Sequence, residues 1–337
     1  MSKDTLKVVI PMGGVGSRLR PHTWSKPKQL VSVAGKAVLG HVLDMFTALP
    51  DPGNVELVNI VGYLGEQIEA FVNESYPQFP SHYVSQEDPR GQSHAIYLAR
   101  EYLHGPMLMI FPDAVIETDL SFLAHESMDA IAWVKPVPDP RRFGVAKLGA
   151  DNLVTQLIEK PADLTNNLAV VGFYYFREAE KLVSAIEEQM RLDIQFKGEY
   201  FLADAVNIML KGGLKMRTEE VNVWLDAGTP AALLDTNVYL LDHGCENMRD
   251  QQCDRSFVIV PPVFIHPTAH IKQSVIGPHA SIGADCVVQN SVIFNSILED
   301  GAQVAGVIME KSLIGRKAQI ERRPGVMNVG DHTALTV

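Results

Sequence analysis

From Lys7 to about Leu241, short apolar runs alternate with stretches of helical period. Lys7–Met12, Leu57–Gly62, Met107–Phe111, Ala130–Val134 and Ala169–Phe176 are continuous apolar runs bounded by Gly, Pro or Asp. That is the texture of strands covered on both faces. Between them, Val38–Leu49, Glu66–Asn73, Ser93–Tyr102, Glu178–Met190, Phe201–Leu210 and Ala231–Leu241 read as helices. Strand and helix alternating at this spacing predict an α/β layer fold with a mainly parallel sheet.

From about Val263 the helical period stops. Ile271, Ile276, Ile282, Val288, Ile293, Leu298, Val304, Ile308, Ile314 and Ile320 step by five or six residues, with one step of four. Ile-Gly pairs recur at Ile276, Ile282 and Ile314, and Ser-Val-Ile or Ser-Leu-Ile triplets at Ser274, Ser291 and Ser312. A six-residue period with glycine after isoleucine marks a parallel β-helix, whose short strands each turn one aliphatic side chain inward. The polar segment Cys245–Arg255 is the natural linker.

Composition adds little to the fold and more to the function. The 337 residues suggest about two domains, and 46% apolar with 20% charged residues can fill a core. The net charge of −11 argues against sequence-independent nucleic-acid binding, which needs a basic surface. It leaves room for a local basic pocket. Apolar runs such as Leu168–Val171 and Phe257–Val260 are far shorter than the ~18 residues of a membrane helix. The polar start Met1–Thr5 lacks a signal-peptide pattern, and Cys245, Cys253 and Cys286 form no metal or disulfide framework. A cytoplasmic protein, with neither nucleic acid nor membrane as partner, is expected.

Candidate chemistry begins where the first apolar run ends. Met12 delivers the chain into Gly13, Gly14 and Gly16, which let backbone N–H groups face a phosphate without a Cβ in the way. Arg18 and Lys28 bring a guanidinium fork and a point charge to the same place. A dinucleotide-binding turn would place a third glycine where Leu19 stands, and a Walker loop needs Gly-Lys-Ser/Thr where Gly16 is followed by Ser-Arg. Lys26 is separated from Lys28 by Pro27 in an extended stretch and is expected to face solvent.

The stretch Gly13-Gly-Val-Gly-Ser-Arg-Leu-Arg-Pro-His-Thr, followed by Pro27-Lys-Gln-Leu30, resembles the signature of the sugar-1-phosphate nucleotidylyltransferases. It is most similar to the long glucose-1-phosphate thymidylyltransferase-like branch, which carries a C-terminal left-handed β-helix. The resemblance covers roughly residues 7–325. It implies a nucleotidyltransferase catalytic domain over 1–244, a linker over 245–262, a hexapeptide-repeat left-handed β-helix over 263–325 and a tail over 326–337. It also implies transfer of a nucleotidyl group from a nucleoside triphosphate to a sugar-1-phosphate, with glucose-1-phosphate favoured. Mg²⁺ is the implied cofactor, and a homo-oligomer assembled through the β-helix is expected.

The remaining motifs fit that chemistry. Asp113 closes the apolar strand Leu108–Pro112, where α/β sheets present ligand-binding groups, and Asp226 lies in Trp224-Leu-Asp-Ala-Gly-Thr-Pro230. By resemblance both match the family's metal-binding aspartates, and hard carboxylate oxygens suit Mg²⁺. Relatives often read Gly-Asp-Asn at the first, where this chain has Pro112-Asp113-Ala114. Glu159 and Lys160 look like the family's Glu-Lys-Pro element for sugar hydroxyls and sugar phosphate. Gly144 and Val170 lie in segments resembling its sugar pocket, and Gly198–Asp204 resembles a nearby segment. Gln86-Glu-Asp-Pro89-Arg-Gly91 matches the family's base-binding turn, with Pro89 and Gly91 shaping the slot. A carboxamide complements a pyrimidine imide edge, so Gln29 and Gln86 favour dTTP or UTP. Two other readings stay open: a non-catalytic regulatory homologue that binds nucleotide sugar, and a guanylyltransferase acting on mannose-1-phosphate. Acyl transfer by the β-helix is a third, set against its short array and its histidines His266, His270 and His279 at the first turns.

Overall fold

The computed structural model describes residues 5–47, 49, 51–248, 252–253 and 256–322. These divide between two compact units, one built from the chain up to Val31 and from Lys36 to Leu233, the other from Ser32–Gly35 and from Leu234 onward.

The strands before the linker are, in chain order, β1 (Leu6–Met12), β2 (Ser32–Val33), β3 (Lys36–Ala37), β4 (Val55–Val61), β5 (Ser81–Ser85), β6 (Met107–Ile110), β7 (Ala114–Ile116), β8 (Ala130–Pro136), β9 (Gly144–Leu148), β10 (Val154–Glu159), β11 (Leu168–Phe176), β12 (Met216–Glu220) and β13 (Trp224–Asp226). The helices are α1 (Val38–Thr47), α2 (Gly65–Ser75), α3 (Gln92–Leu98), α4 (Ala179–Arg191), α5 (Leu202–Lys211) and α6 (Pro230–Leu240). Every apolar run and helical stretch expected from the sequence is present, with ends shifted by a few residues.

The main sheet runs β10-β9-β11-β6-β1-β4-β5, with β8 also on β11 and β12 on β8. β1 pairs in parallel with β4 and β6, and β4 with β5. β11 runs antiparallel to β6, β8 and β9. Val9, Val58, Met107 and Met109 are buried beneath α3, α4 and α5, which is why these strands read as unbroken apolar runs. Because β1, β4, β5 and β6 are parallel and nearly in register, Gly13, Gly62, Gln86 and Asp113 all emerge at one sheet edge. That edge is where α/β sheets bind ligands.

In the second unit the strands after Ser256 stack into three all-parallel sheets of a β-helix, as expected of the left-handed repeat domain. Ile276, Ile282, Val288, Ile293, Leu298 and Val304 are at most 1% exposed and form its core. Each corner repeats a left-handed backbone residue, as in the columns Gln273-Asn290-Gly306 and Asp285-Gly301-Lys317. The recurrent serines hold successive turns together: Ser291 N donates to Ser274 Oγ (3.1 Å), Val307 N to Ser291 Oγ (3.2 Å) and Ser312 N to Ser296 Oγ (3.0 Å). Each hydroxyl thus satisfies an N–H that the bend takes out of the strand ladder.

One inward position is corrected. Ile308 is 80% exposed, and Met309 takes its place, in register with Ile293 and packed on the core. The bend after Val304 needs one residue more than the four-residue step allows, and unbranched methionine fills the resulting space.

Candidate active site

The phosphate loop is built by close approaches. A Cβ on Gly13 would stand 2.4 Å from Gln86 Oε1, whereas one on Gly14 would meet nothing within 4 Å, leaving open space before the loop. Gly16 has φ +64°, and a Cβ there would press within 2.9 Å of the Lys28 Cβ. Thr23 Oγ1 donates to Gly16 O at 2.8 Å and fixes that approach. The glycine therefore serves to bring the lysine stem against the loop. Arg18 follows in a single 3₁₀ turn, Ser17–Leu19, and Lys28 opens another, Lys28–Leu30.

Lys28 Nζ donates to Asp113 Oδ2 at 2.8 Å, with the two side chains 18% and 31% exposed. Burial alone pushes the Asp113 carboxyl up, but the Lys28 ammonium, by charge and hydrogen bond, holds it below its ordinary value, helped by Arg18. Asp226 reaches the same place because β13 pairs with β7, opposing Asp226 to Ala114, and Ala227 N donates to Asp113 O at 2.8 Å. Ala114 is thus buried in that ladder. Asp226 Oδ1 accepts from Gly228 N at 2.7 Å. A Cβ on Gly228 would lie 3.1 Å from the Arg18 guanidinium, so Arg18 borders the Asp226 turn.

A cleft of about 370 Å³ extends from these groups, bringing together Arg18, Asp113, Asp226, Gly144, Glu159 and Val170 of the sequence-predicted residues. β9 pairs with β10 so that Gly144 opposes Glu159, and a Cβ on Gly144 would be 3.1 Å from Glu159 Oε2. The register shift between Val170 and Tyr174 bulges β11 at Gly172 (φ +85°), turning Val170 to the cleft. Burial pushes the Glu159 carboxyl up, opposed by Lys160 and reinforced by Asp204. Lys160 stands outside at the rim, its Nζ 3.7 Å from Glu159 Oε1.

The base turn is separate from that lining. Gln86 is 8% exposed and its Nε2 donates to Gly91 O at 3.3 Å, while Pro89 is exposed on the turn. Gln29 is buried at 1% exposure outside the cleft lining, its amide oxygen and nitrogen both lacking a hydrogen-bond partner among the described residues. Lys26 is corrected: it is 3% exposed, not solvent-facing, because the extended Pro27 turns its side chain inward.

Arg142, Phe143, Tyr174 and Trp224 also line the cleft, the Phe143 and Trp224 rings meeting edge-on at 4.9 Å. Sequence reasoning did not single them out individually. Phe143 and Trp224 flanked flagged motifs, but Tyr174 sat inside an apolar run and gave no signal.

Asp113 and Asp226, at the Arg18 end of the cleft, fit a hard divalent ion, which commonly takes one or two protein carboxylates with phosphate oxygens. Among the described residues no cluster of three or more His, Cys, Asp or Glu forms a closed cage.

This sheet-edge cleft, with basic groups at a glycine loop and paired aspartates beside a polar pocket, is that of a nucleotide-handling transferase. The nucleotidyl transferase family profile matches residues 7–243, and the chain belongs to that family, among its sugar-1-phosphate nucleotidyltransferases. Residues 259–335 match the GMPPB C-terminal domain. A glucose-1-phosphate thymidylyltransferase of Streptomyces griseus is 31% identical over 98% of this chain and 99% of its own. The low-salt glycan biosynthesis nucleotidyltransferase Agl11 of Haloferax volcanii is 30% identical over 94% of each chain. Among solved structures, a nucleoside-diphosphate-sugar pyrophosphorylase of Vibrio cholerae superimposes with TM-score 0.59 at 22% identity, over 68% of this chain and 99% of that one. It supports the fold. Among the described residues no helix is long and apolar enough to cross a membrane.

Proposed function

We propose that the protein transfers a nucleotidyl group from dTTP or UTP to a hexose-1-phosphate, glucose-1-phosphate first, releasing pyrophosphate. The observation that carries this is the single cleft with Arg18, Asp113 and Asp226 at one end and Gly144, Glu159 and Val170 at the other. A sugar-phosphate oxygen attacks the α-phosphorus, a new P–O bond forms, and the bond to the leaving pyrophosphate breaks in line. The attacking oxygen is already anionic, so no general base is needed. The protein's work is to hold two anions together and to neutralise charge as it builds.

Arg18 and Lys28 face the triphosphate beside the open space before Gly14. Glu159 accepts sugar hydroxyls, and Lys160 holds the sugar phosphate. Gln86 and Gln29 read the base through their amides, the Gln29 pair being unsatisfied within the protein. Asp113 and Asp226 would hold Mg²⁺, which when bound supplies charge neutralisation at the phosphates. Partner copies of the chain, joined through the β-helix, complete the reading.

The test is a pyrophosphate-release screen of dTTP, UTP, GTP, CTP and ATP against glucose-, mannose-, galactose- and aminosugar-1-phosphates. Turnover fastest with dTTP or UTP and glucose-1-phosphate is expected. A preference for GTP with mannose-1-phosphate overturns the substrate assignment, and nucleotide-sugar binding without turnover overturns catalysis.

A further inference from the structure

We infer that Tyr200 and Phe201 splice the base turn to Lys160, so that a bound nucleotide tightens the sugar phosphate; this rests on the assignment of those two sites above. The base turn and the Glu159–Lys160 segment are distant in sequence, and the chain around Tyr200 is joined to both.

On the nucleotide side, Tyr200 N donates to Arg90 O at 2.9 Å and Ser93 N donates to Tyr200 O at 3.0 Å. These two backbone bonds bracket Gly91. That glycine has φ 99° and ψ −179°, and a Cβ there would lie 2.6 Å from Tyr200 N. No side chain fits between them, so the turn and Tyr200 move together. Tyr200 is itself 4% exposed, its hydroxyl donates to Asp193 at 2.9 Å, and the Arg90 guanidinium lies 5.4 Å from its ring.

On the sugar side, the Lys160 ammonium stands 5.3 Å from the centre of the Phe201 ring, within range of a cation–π attraction. The strand that ends just before Lys160, β10, is also tied to α5, since Leu157 N donates to Asn207 Oδ1 and Asn207 Nδ2 donates to Leu157 O, both at 2.8 Å. α5 begins at Leu202, immediately after the splice.

The coupling begins at the base. Gln86 Nε2 donates to Gly91 O over 3.3 Å, a long bond, while Gly91 O also accepts from Ala95 N at 3.2 Å. A base that takes up the Gln86 amide releases one of two bonds on Gly91, and the change passes through the paired backbone to Tyr200 and the ring beneath Lys160. Tyr200 and Phe201 are positioning residues in this scheme and touch no reacting atom. By linkage, the nucleotide and the sugar phosphate must help each other by the same factor.

The experiment titrates glucose-1-phosphate calorimetrically into the protein alone and into protein saturated with α,β-methylene-dTTP, whose bridging carbon resists cleavage. Wild type should bind glucose-1-phosphate at least about fivefold tighter with the nucleotide present. Phe201→Leu keeps an apolar filler but removes the ring, and should cut the enhancement given by nucleotide about two- to fivefold. Phe201→Tyr should restore it. Gly91→Ala, which forces the turn from Tyr200, should erase the enhancement at saturating nucleotide. An enhancement of wild-type size in Phe201→Leu, or none in wild type, overturns the splice. Gln86→Ala with unchanged nucleotide affinity, or Lys160→Ala with unchanged glucose-1-phosphate affinity, overturns the site assignment beneath it and the splice with it.

Discussion

Replacing Lys28 with Met keeps the stem that packs against Gly16 while deleting the charge, and it should change both rate and pH dependence. The ammonium lies 2.8 Å from Asp113 Oδ2 in a partly screened setting. Losing one preorganised charge donor costs about 2.7–4 kcal/mol in the transition state, so kcat should fall about 10²- to 10³-fold. The second effect comes through Asp113. Burial raises its pKa, and Lys28 supplies the largest lowering contributions that bring it below its ordinary 3.8. A carboxyl with a depressed pKa is fully ionised above its ordinary pKa and protonates only as pH falls through the depressed one. In wild type, protonation of Asp113 should therefore not limit activity anywhere above its ordinary 3.8. In Lys28→Met, burial is opposed only by a backbone hydrogen bond and the Arg18 charge, so an acid limb should move up toward the assay range. Steady-state kcat and kcat/KM between about pH 4 and about pH 9 read both effects. A variant within about threefold of wild-type kcat, or an acid limb that does not move, would refute this account of Lys28.

Asp226→Asn should lower kcat by at least about 10²-fold and raise the divalent-ion concentration for half-maximal rate, read by metal titration at fixed substrates. Lys160→Ala should chiefly raise KM for the sugar phosphate and leave calorimetric triphosphate affinity intact, because its contact is made equally in ground and transition states. In the β-helix, Ile293→Ala should cost about 2–5 kcal/mol, whereas Ile308→Ser, at an exposed site, should stay within about 0.5 kcal/mol. Denaturation followed by circular dichroism separates them, and equal losses would return Ile308 to the core.

The five strands expected from the sequence were legible because burial on both faces writes each one as an unbroken apolar run, whereas half-buried strands such as β5, β10 and β12 carry no such run. Parallel register makes the ends after Met12 and Ile110 a single edge, which sets Gly13 beside Asp113; β5, a half-buried Ser-His-Tyr-Val-Ser with no apolar run to announce it, is what brings Gln86 to the same edge. Tyr174 was not legible. Its place in the cleft depends on the bulge at Gly172, and a bulge leaves no mark in an alternation already hidden by two-sided burial. Lys26 was misread because a charged residue between prolines looks like a solvated loop, and only the packed fold turns it inward. The inward positions of the β-helix were legible except at Ile308, where the aliphatic residue next to Met309 was taken for the one that keeps the five-residue step from Val304.

The central claim is that one cleft lets a sugar-phosphate oxygen attack the α-phosphorus of the triphosphate. It is tested most directly by turning over dTTP with glucose-1-phosphate whose non-bridging phosphate oxygens carry a heavy isotope, and following the label by phosphorus NMR and mass spectrometry. The account predicts that all the label stays in the nucleotide sugar, one labelled oxygen now bridging the two phosphorus atoms, and that the pyrophosphate is unlabelled. Label in the pyrophosphate, or pyrophosphate released without consumption of the sugar phosphate, would contradict it.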